Sequence, residues 1–246
     1  MSLPLLVLCA VAVLCGAIAQ RVTGLGFALV SSPFLVMALG PIEGVVVANL
    51  CGVGSGLFSL WFTWRLIDLR RTMRIVAALL VGFAPGMVVI RVVPPDWLAV
   101  LVASIVLIAL LVTLTVRPGR TKDSWVLSSA AGLASGFMGV TASVGGPPLA
   151  IYGRLTAWDN REFAAAMQAV TPFILIAVVT APSFPSFAVS GWVTLAVALI
   201  AGVIIGNQIA PHVSNRLAGR LVMTVAMVGT LLALGRAILG LVSPSA

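Results

Sequence analysis

Charged side chains are scarce in this chain. Only 6 acidic and 14 basic residues occur among 246, whereas 61% of the residues are hydrophobic and the mean hydropathy is +1.21. A soluble domain of this size needs a more charged surface, so that class is excluded. The apolar stretches are about 17–20 residues long, which is the length a helix needs to cross roughly 30 Å of hydrocarbon. We therefore predict an all-α integral membrane protein that crosses the lipid bilayer many times.

The residue types that common active sites need are also rare. His212 is the single histidine, so a serine nucleophile has no general base in reach and a haem has no pair of axial ligands. Cys9, Cys15 and Cys51 all lie in apolar segments, which indicates neither a disulfide framework nor a metal site. The net charge of +8 is dispersed between apolar runs, unlike a nucleic-acid-binding surface. We expect no enzyme activity, no cofactor, no metal and no nucleic-acid partner.

The basic residues fall between the apolar runs in a regular alternation. Ten membrane segments are predicted, at about 3–20, 25–40, 44–63, 73–91, 97–116, 125–138, 145–156, 163–181, 192–210 and 219–241. Every basic residue except Arg91 and Arg236 lies in or beside an odd-numbered connection. Since Lys and Arg mark cytoplasmic loops, both termini are predicted outside the cytoplasm.

The two halves of the chain resemble each other. The stretch "IEGVVVAN" aligns with "REFAAAMQ", which matches Asn49 to Gln168, and the G-x-x-x-G stretch at 82–86 aligns with that at 202–206. Such glycine spacings allow close helix packing. Because each half has five segments, the second half must be inserted upside down. The predicted parts are a first repeat at 1–118, a cytoplasmic linker at 119–124 and an inverted repeat at 125–246.

Glycine and proline interrupt both halves in corresponding places. The stretch "SVGGPPLAIYGR" has its counterpart in "TGLGFALVSSPFLVM", which pairs Gly145-Gly146-Pro147 with Ser31-Ser32-Pro33. Irregular backbone at membrane depth is tolerated only where it is buried in protein or lines a wet cavity. We predict two broken or re-entrant helical hairpins, formed by segments 1–2 and 6–7. The alternative is that these stretches are packing kinks.

The ends of broken helices suit a small anion. A helix N-terminus exposes unpaired N–H groups and carries about half a positive charge. The candidate substrate-binding residues are Thr23, Gly24, Gly26, Ser31, Ser32, Pro33, Asn49, Gly139, Thr141, Ser143, Gly145, Gly146, Pro147 and Gln168. The amides could instead bond helix to helix. Arg21 and Arg154 are candidate charge partners of the anion, although either could simply extend to the lipid headgroups.

These motifs resemble those of the TauE/SafE sulfite-exporter family. The stretches that carry the resemblance are "QRVTGLGFALVSSPFLV", "RLIDLRR" and "GFMGVTASVGGPPLAIY", and it extends over essentially the whole chain. The resemblance implies a secondary transporter, an exporter in particular, for sulfite, thiosulfate or a small sulfonate. It also implies a location in a bacterial cytoplasmic (inner) membrane, transport without an ATPase partner, and coupling to protons. Alternating access around a midplane site is the expected mechanism.

Two other transport functions are consistent with the segment pattern. A drug/metabolite-type exporter also has ten segments in two inverted halves, but it would carry an acid inside its first helix, and no acid precedes Glu43 here. An anion channel would share the segments, but its flux would not saturate. The sequence leaves open which anion is carried, its direction, the coupling ion and the oligomeric state.

Overall fold

A computed structural model describes residues 3–23, 27–116, 119, 121–212 and 215–242. All regular secondary structure in these ranges is helical, which confirms the predicted all-α class. The α-helices are α1 (Leu3–Thr23), α2 (Phe27–Leu39), α3 (Pro41–Thr63), α4 (Leu69–Val92), α5 (Pro95–Thr115), α6 (Trp125–Ala142), α7 (Gly146–Leu155), α8 (Asn160–Val170), α9 (Leu175–Val179), α10 (Val189–Ile209) and α11 (Asn215–Val242). Short 3₁₀ turns follow α3, α8 and α10.

Eight spans in the described ranges are long and apolar enough to cross a membrane. One of them, Asn160–Val179, combines α8, a 3₁₀ turn that contains Pro172, and α9. The helices α2 and α7 are short, with 13 and 10 residues. At 1.5 Å per residue, α7 is about 15 Å long and covers only half of the hydrocarbon. The re-entrant form of the two hairpins stays a prediction.

Side-chain caps begin three of the helices. Asp68 accepts a hydrogen bond from the Arg71 N–H, Ser124 from Leu127, and Asp159 from the N–H groups that follow it. Such caps satisfy N–H groups that the first turn leaves unpaired. They lie before α4, α6 and α8, all at connections that the basic residues predict to be cytoplasmic.

The predicted break in the second half is present. The helix α6 ends at Ala142 because Ser143 adopts a left-handed conformation with φ of +62°, which a helix cannot contain. The Ser143 N–H bonds the carbonyl of Gly139 at 3.1 Å, so one of the last carbonyls of α6 keeps a partner. The helix α7 then begins at Gly146, with Pro147 in its first turn.

The predicted break at Ser31-Ser32-Pro33 is wrong, because α2 is continuous through these residues. Proline removes one N–H from the helix, but a membrane helix tolerates this when serine side chains and neighbouring helices bond the freed groups. The carbonyl that Pro33 leaves without its usual N–H partner is that of Leu29, and the Ser31 hydroxyl donates close by, to the Phe27 carbonyl at 2.8 Å. Gly24 and Gly26, which were predicted to belong to the first interruption, lie outside the described residues.

Glycines bring two helix pairs into close contact. A Cβ atom on Gly202 of α10 would lie 2.6 Å from the Leu14 carbonyl oxygen of α1. On the other side, a Cβ on Gly132 of α6 would lie 2.6 Å from the Ile75 oxygen of α4, and one on Gly82 would collide with the Leu133 oxygen. The close packing predicted from the G-x-x-x-G spacings is therefore confirmed.

The two close helix contacts correspond to each other in the predicted repeat. In one, α4 packs on α6; in the other, their counterparts α10 and α1 pack together. The helix α5 packs on its own counterpart, α11. This pattern supports the predicted inverted repeat, whose boundaries stay a prediction.

Large apolar side chains lie both in the core and on the outer surface, and a set of polar side chains is buried among them. Val81, Val197 and Leu239 are among the many exposed apolar residues of α4, α10 and α11, as expected for surfaces that face lipid. The buried polar residues are Gln20, Ser31, Ser32, Asn49, Ser55, Ser59, Thr72, Ser128, Ser135, Thr141, Ser143, Gln168 and Thr230. Many of them surround the break after α6.

Candidate functional site

A cavity of about 100 Å³ lies where the N-terminal ends of α2 and α7 meet α3 and α8. A water molecule needs only roughly 10–15 Å³, so a small solute fits. We call it the central cavity. It is lined by Gln20, Phe27, Ala28, Ala48, Asn49, Gly52, Val53, Ser135, Ser143, Gly145, Gly146, Leu149, Met167, Gln168, Val170, Thr171 and Ile174. None of these described lining residues is charged.

The start of α7 lies at the central cavity, which Gly145 and Gly146 line. A helix start leaves four N–H groups unpaired, but two of the four positions here are Pro147 and Pro148. Gly145 and Gly146 therefore supply the two remaining donors. A Cβ on Gly145 would lie 2.8 Å from the Ser135 carbonyl oxygen, and the Ser135 hydroxyl donates to the Gly145 carbonyl at 2.7 Å. Close packing on α6 thus requires glycine at this position.

Asn49 joins the first half to the break in the second. Its Nδ2 donates to the Gly139 carbonyl at 3.1 Å, and its Oδ1 accepts from the Ser143 hydroxyl at 2.7 Å. Asn49 and Ser143 are both buried, with 5% and 4% of their surface exposed. The structure thus brings together three residues that the sequence predicted for the site.

Gln168 occupies the matching position on the other side of the central cavity. Its Oε1 accepts from the Gln20 Nε2 at 3.3 Å, and Gln20 belongs to the last turns of α1. Asn49 and Gln168, paired by the sequence alignment, thus each bond the C-terminal end of the first helix of the other half. Gln20 was not predicted as a site residue. A buried amide in an apolar helix was the available signal.

A larger space opens beside the central cavity, on the face where the caps and most arginines lie. We call it the vestibule; its volume is about 600 Å³, and Arg21, Arg154 and Arg161 line it. Arg21 bonds Asn207 and, at 3.4 Å, Ser59, whereas Arg154 donates to the Thr113 carbonyl at 2.8 Å. The two predicted charge partners therefore line the approach and do not line the central cavity.

Several predicted site residues are hydrogen bonded elsewhere. The hydroxyls of Thr23, Ser31 and Thr141 each donate at 2.8 Å to the carbonyl four residues earlier in their own helix. Thr23 lines the vestibule and Thr141 a small space near Asn49.

Two predicted residues of α2 lie beside the break but outside the central cavity. The Ser32 hydroxyl donates at 2.7 Å to the Ala142 carbonyl, the last of α6. Ser32 and Pro33 line a separate space of about 310 Å³ between α2, α5 and α11. Pro147 is buried in the first turn of α7.

A charged cluster that the sequence did not predict joins the halves near the vestibule. The Tyr152 hydroxyl donates to Asp123 at 2.6 Å and accepts from Arg71 Nε at 2.6 Å, and Arg74 donates to Asp123 at 2.8 Å. The Arg71 guanidinium lies 3.9 Å from the centre of the Trp158 ring. Burial alone would raise the pKa of Asp123, but the hydrogen bonds from Tyr152 and Arg74 outweigh it and hold that pKa below its ordinary value.

Comparison with known proteins gives one clear assignment. Residues 8–237 match the family model described as "Sulfite exporter TauE/SafE". No curated protein and no solved structure matches the chain. The match covers nearly all of the chain, in agreement with the eight apolar spans. The chain therefore belongs to the TauE/SafE sulfite exporter family of multi-pass membrane transporters.

Proposed function

We propose that this protein is a secondary transporter that exports a small sulfur-containing oxyanion, such as sulfite, thiosulfate or a small sulfonate, with the central cavity as its binding site. The family membership supports the substrate class. The proposal includes the bacterial inner membrane, termini outside the cytoplasm, and alternating access of the two inverted halves.

The observation that carries the proposal is the convergence of two short helices on one neutral cavity. Phe27 and Ala28 at the start of α2, and Gly145 and Gly146 at the start of α7, all line the central cavity. Each helix start carries about half a positive charge, so the pair favours an anion without any cationic side chain. Binding by dipoles also leaves the anion free to depart, whereas a buried ion pair would hold it more strongly.

Unequal access from the two sides supports a carrier. The vestibule of about 600 Å³ reaches Gln20 and Gln168 from one face. Toward the opposite face, the space bounded by Asn49, Val46 and Thr141 is only about 10 Å³. The vestibule borders the C-terminal end of α1, and the small space borders the C-terminal end of α6. Because α1 and α6 are corresponding helices of the two inverted halves, the two spaces occupy corresponding positions on opposite faces. The conformation is therefore inward-facing in the proposed orientation, and a motion that exchanges the two spaces would release the anion outside.

This inequality also favours a carrier over an anion channel, which needs a path open at both ends. Proton coupling remains part of the proposal. Since no titratable side chain lines the described central cavity, the coupled proton would bind at a residue outside that lining or travel with the substrate.

Flux in proteoliposomes tests this proposal. We expect saturable sulfite or thiosulfate flux that is lost in Ser143→Leu and Gly146→Leu, because leucine would fill the central cavity. Gly235→Leu is the matched control, since nothing lies within 4 Å of the Gly235 Cβ position. Sulfite, thiosulfate, sulfoacetate and taurine should be compared for thermal stabilisation, because a ligand of the folded state raises the melting temperature. Stabilisation by an organic cation and by none of these four would contradict the substrate class, and unchanged flux in both leucine variants would place the site elsewhere.

A further inference from the structure

The central cavity and the vestibule meet at a single pair of side chains. Among the described lining residues, Gln20 and Gln168 alone border both spaces. They come from different halves, bond each other at 3.3 Å, and expose only 8% and 5% of their surface. The direct line from the basic vestibule to the neutral cavity is thus closed by two amides.

We propose that Gln20 and Gln168 form the inner gate of the transporter, and that an entering anion parts them by accepting a hydrogen bond from the Gln20 Nε2. The inference rests on the proposed function in one respect, namely that the solute passing the gate is a small anion. Gln20 is the moving residue of this gate.

The contacts of the two amides indicate which one moves. Gln168 packs against α3, because a Cβ on Gly56 would lie 3.1 Å from its Oε1 and 2.9–3.0 Å from Thr171. The Gln20 Oε1 is buried and has no hydrogen-bond partner among the residues that the structure describes. An unpaired buried oxygen destabilises the closed arrangement, so rotation of Gln20 toward a wet space recovers a bond to water.

A neutral amide suits a gate between these particular spaces. Arg21, Arg154 and Arg161 attract anions to the vestibule, and a fourth cation at the gate would hold them there. A carboxylate at position 20 would repel them as they passed. The amide donates to the anion without a net charge, so the residue type itself is part of the selectivity for charge.

Thiol labelling measures the gate without any transport assay. Cys9, Cys15 and Cys51 are first replaced by alanine. A reporter is then placed in the central cavity by Ala28→Cys, and a matched reporter in the vestibule by Ala150→Cys. Each is labelled with an anionic methanethiosulfonate that carries a sulfonate, and with a cationic one that carries a trimethylammonium group.

With Gln20 in place, we expect the cavity reporter to react at least roughly tenfold more slowly than the vestibule reporter. Gln20→Ala should speed the cavity reporter by roughly twofold to tenfold, the equivalent of one net hydrogen bond, and leave the vestibule reporter unchanged. Gln20→Met, which keeps the side-chain length without the hydrogen bond, should act in the same direction and serves if the alanine variant misfolds. Gln20→Glu should slow the anionic reagent relative to the cationic one at the cavity reporter.

The gate is overturned if the cavity reporter reacts equally fast with Gln20, alanine and methionine at position 20, or if both reporters accelerate together. It is also overturned if Gln20→Glu leaves the ratio of the two reagents unchanged. Because labelling needs no substrate, a gate would still be detected if neither sulfite nor thiosulfate were transported. Flux without any effect of Gln20 on labelling would leave the transporter intact and remove the gate.

Discussion

The contact between α1 and α10 gives a sharp test of the packing. A Cβ on Gly202 would lie 2.6 Å from the Leu14 carbonyl oxygen and 2.7 Å from the Ala17 Cβ, whereas ordinary contact begins at 3.4 Å. In Gly202→Ala the helices must therefore move apart by about 0.8 Å, the difference between 3.4 and 2.6 Å. Backbone atoms cannot rotate away, so we take the upper end of the overpacking cost, about 3 kcal/mol. Alanine regains about 1 kcal/mol of helix propensity, which leaves about 2 kcal/mol of destabilisation.

The assay is thermal unfolding in detergent, followed by size-exclusion chromatography with fluorescence detection. For a chain of this size, about 2 kcal/mol lowers the melting temperature by about 4–8 °C. Gly235→Ala is the matched control, because its Cβ would meet nothing within 4 Å, and its melting temperature should be unchanged or slightly higher.

The same substitution at Gly132 tests the other contact of the pair. A Cβ there would lie 2.6 Å from the Ile75 carbonyl oxygen. Gly132→Ala should therefore lower the free energy of unfolding, and with it the melting temperature, about as much as Gly202→Ala does. If Gly202→Ala melted at or above the temperature of Gly235→Ala, the close approach of α1 and α10 would be refuted. A large decrease in melting temperature for one of the two glycine variants and none for the other would argue against equivalent contacts in the two halves.

Three further substitutions address the site and its surroundings. Asn49→Leu keeps the side-chain size but removes one of the two hydrogen bonds that the Gly139 carbonyl accepts and leaves the Ser143 hydroxyl without its acceptor, so flux in proteoliposomes should fall at least roughly tenfold; full activity would exclude Asn49 from the site. Arg154→Gln should lower anion flux at low salt and have less effect at high salt, because salt screens the vestibule charges; a loss that does not depend on salt would contradict the attraction argument. Asp123→Asn should lower the melting temperature at pH 7. Since the native pKa of Asp123 is depressed, this difference should disappear only as the pH falls below about 3.9, and a difference already lost near pH 6 would show that Asp123 is not the group responsible.

The sequence predicted the features that depend on local composition. The apolar stretches located all ten segments to within a few residues, and eight of the spans are long enough to match the thickness of the bilayer. The break at Ser143 was predictable since two glycines and two prolines follow one another within six residues. Asn49 was predictable because an amide in hydrocarbon needs a partner.

The sequence failed where a motif was interpreted without its hydrogen bonds. Ser31-Ser32-Pro33 resembles Gly145-Gly146-Pro147 in its final proline, but the latter starts a helix and the former lies within one. Proline interrupts a helix only when the freed carbonyl finds no other stabilisation, and that depends on packing.

Contacts between distant parts of the chain were also missed. Arg71 meets Tyr152 across 81 positions, and Gln20 meets Gln168 across 148. Neither pair has a fixed spacing or a recurring motif, and arginine in a connection was already explained by membrane orientation. Only the packing of the two halves brings these side chains together.

The two prolines at the start of α7 limit what the main chain can contribute to coordination. Because Pro147 and Pro148 have no N–H, this helix end offers two amide hydrogens, from Gly145 and Gly146. A ligand with three oxygens exhausts that supply, so discrimination between ligands of different shape falls to side chains such as those of Asn49, Ser143 and Gln168. Altered substrate preference should therefore be sought by exchanging these side chains, while the diproline keeps the backbone contribution constant.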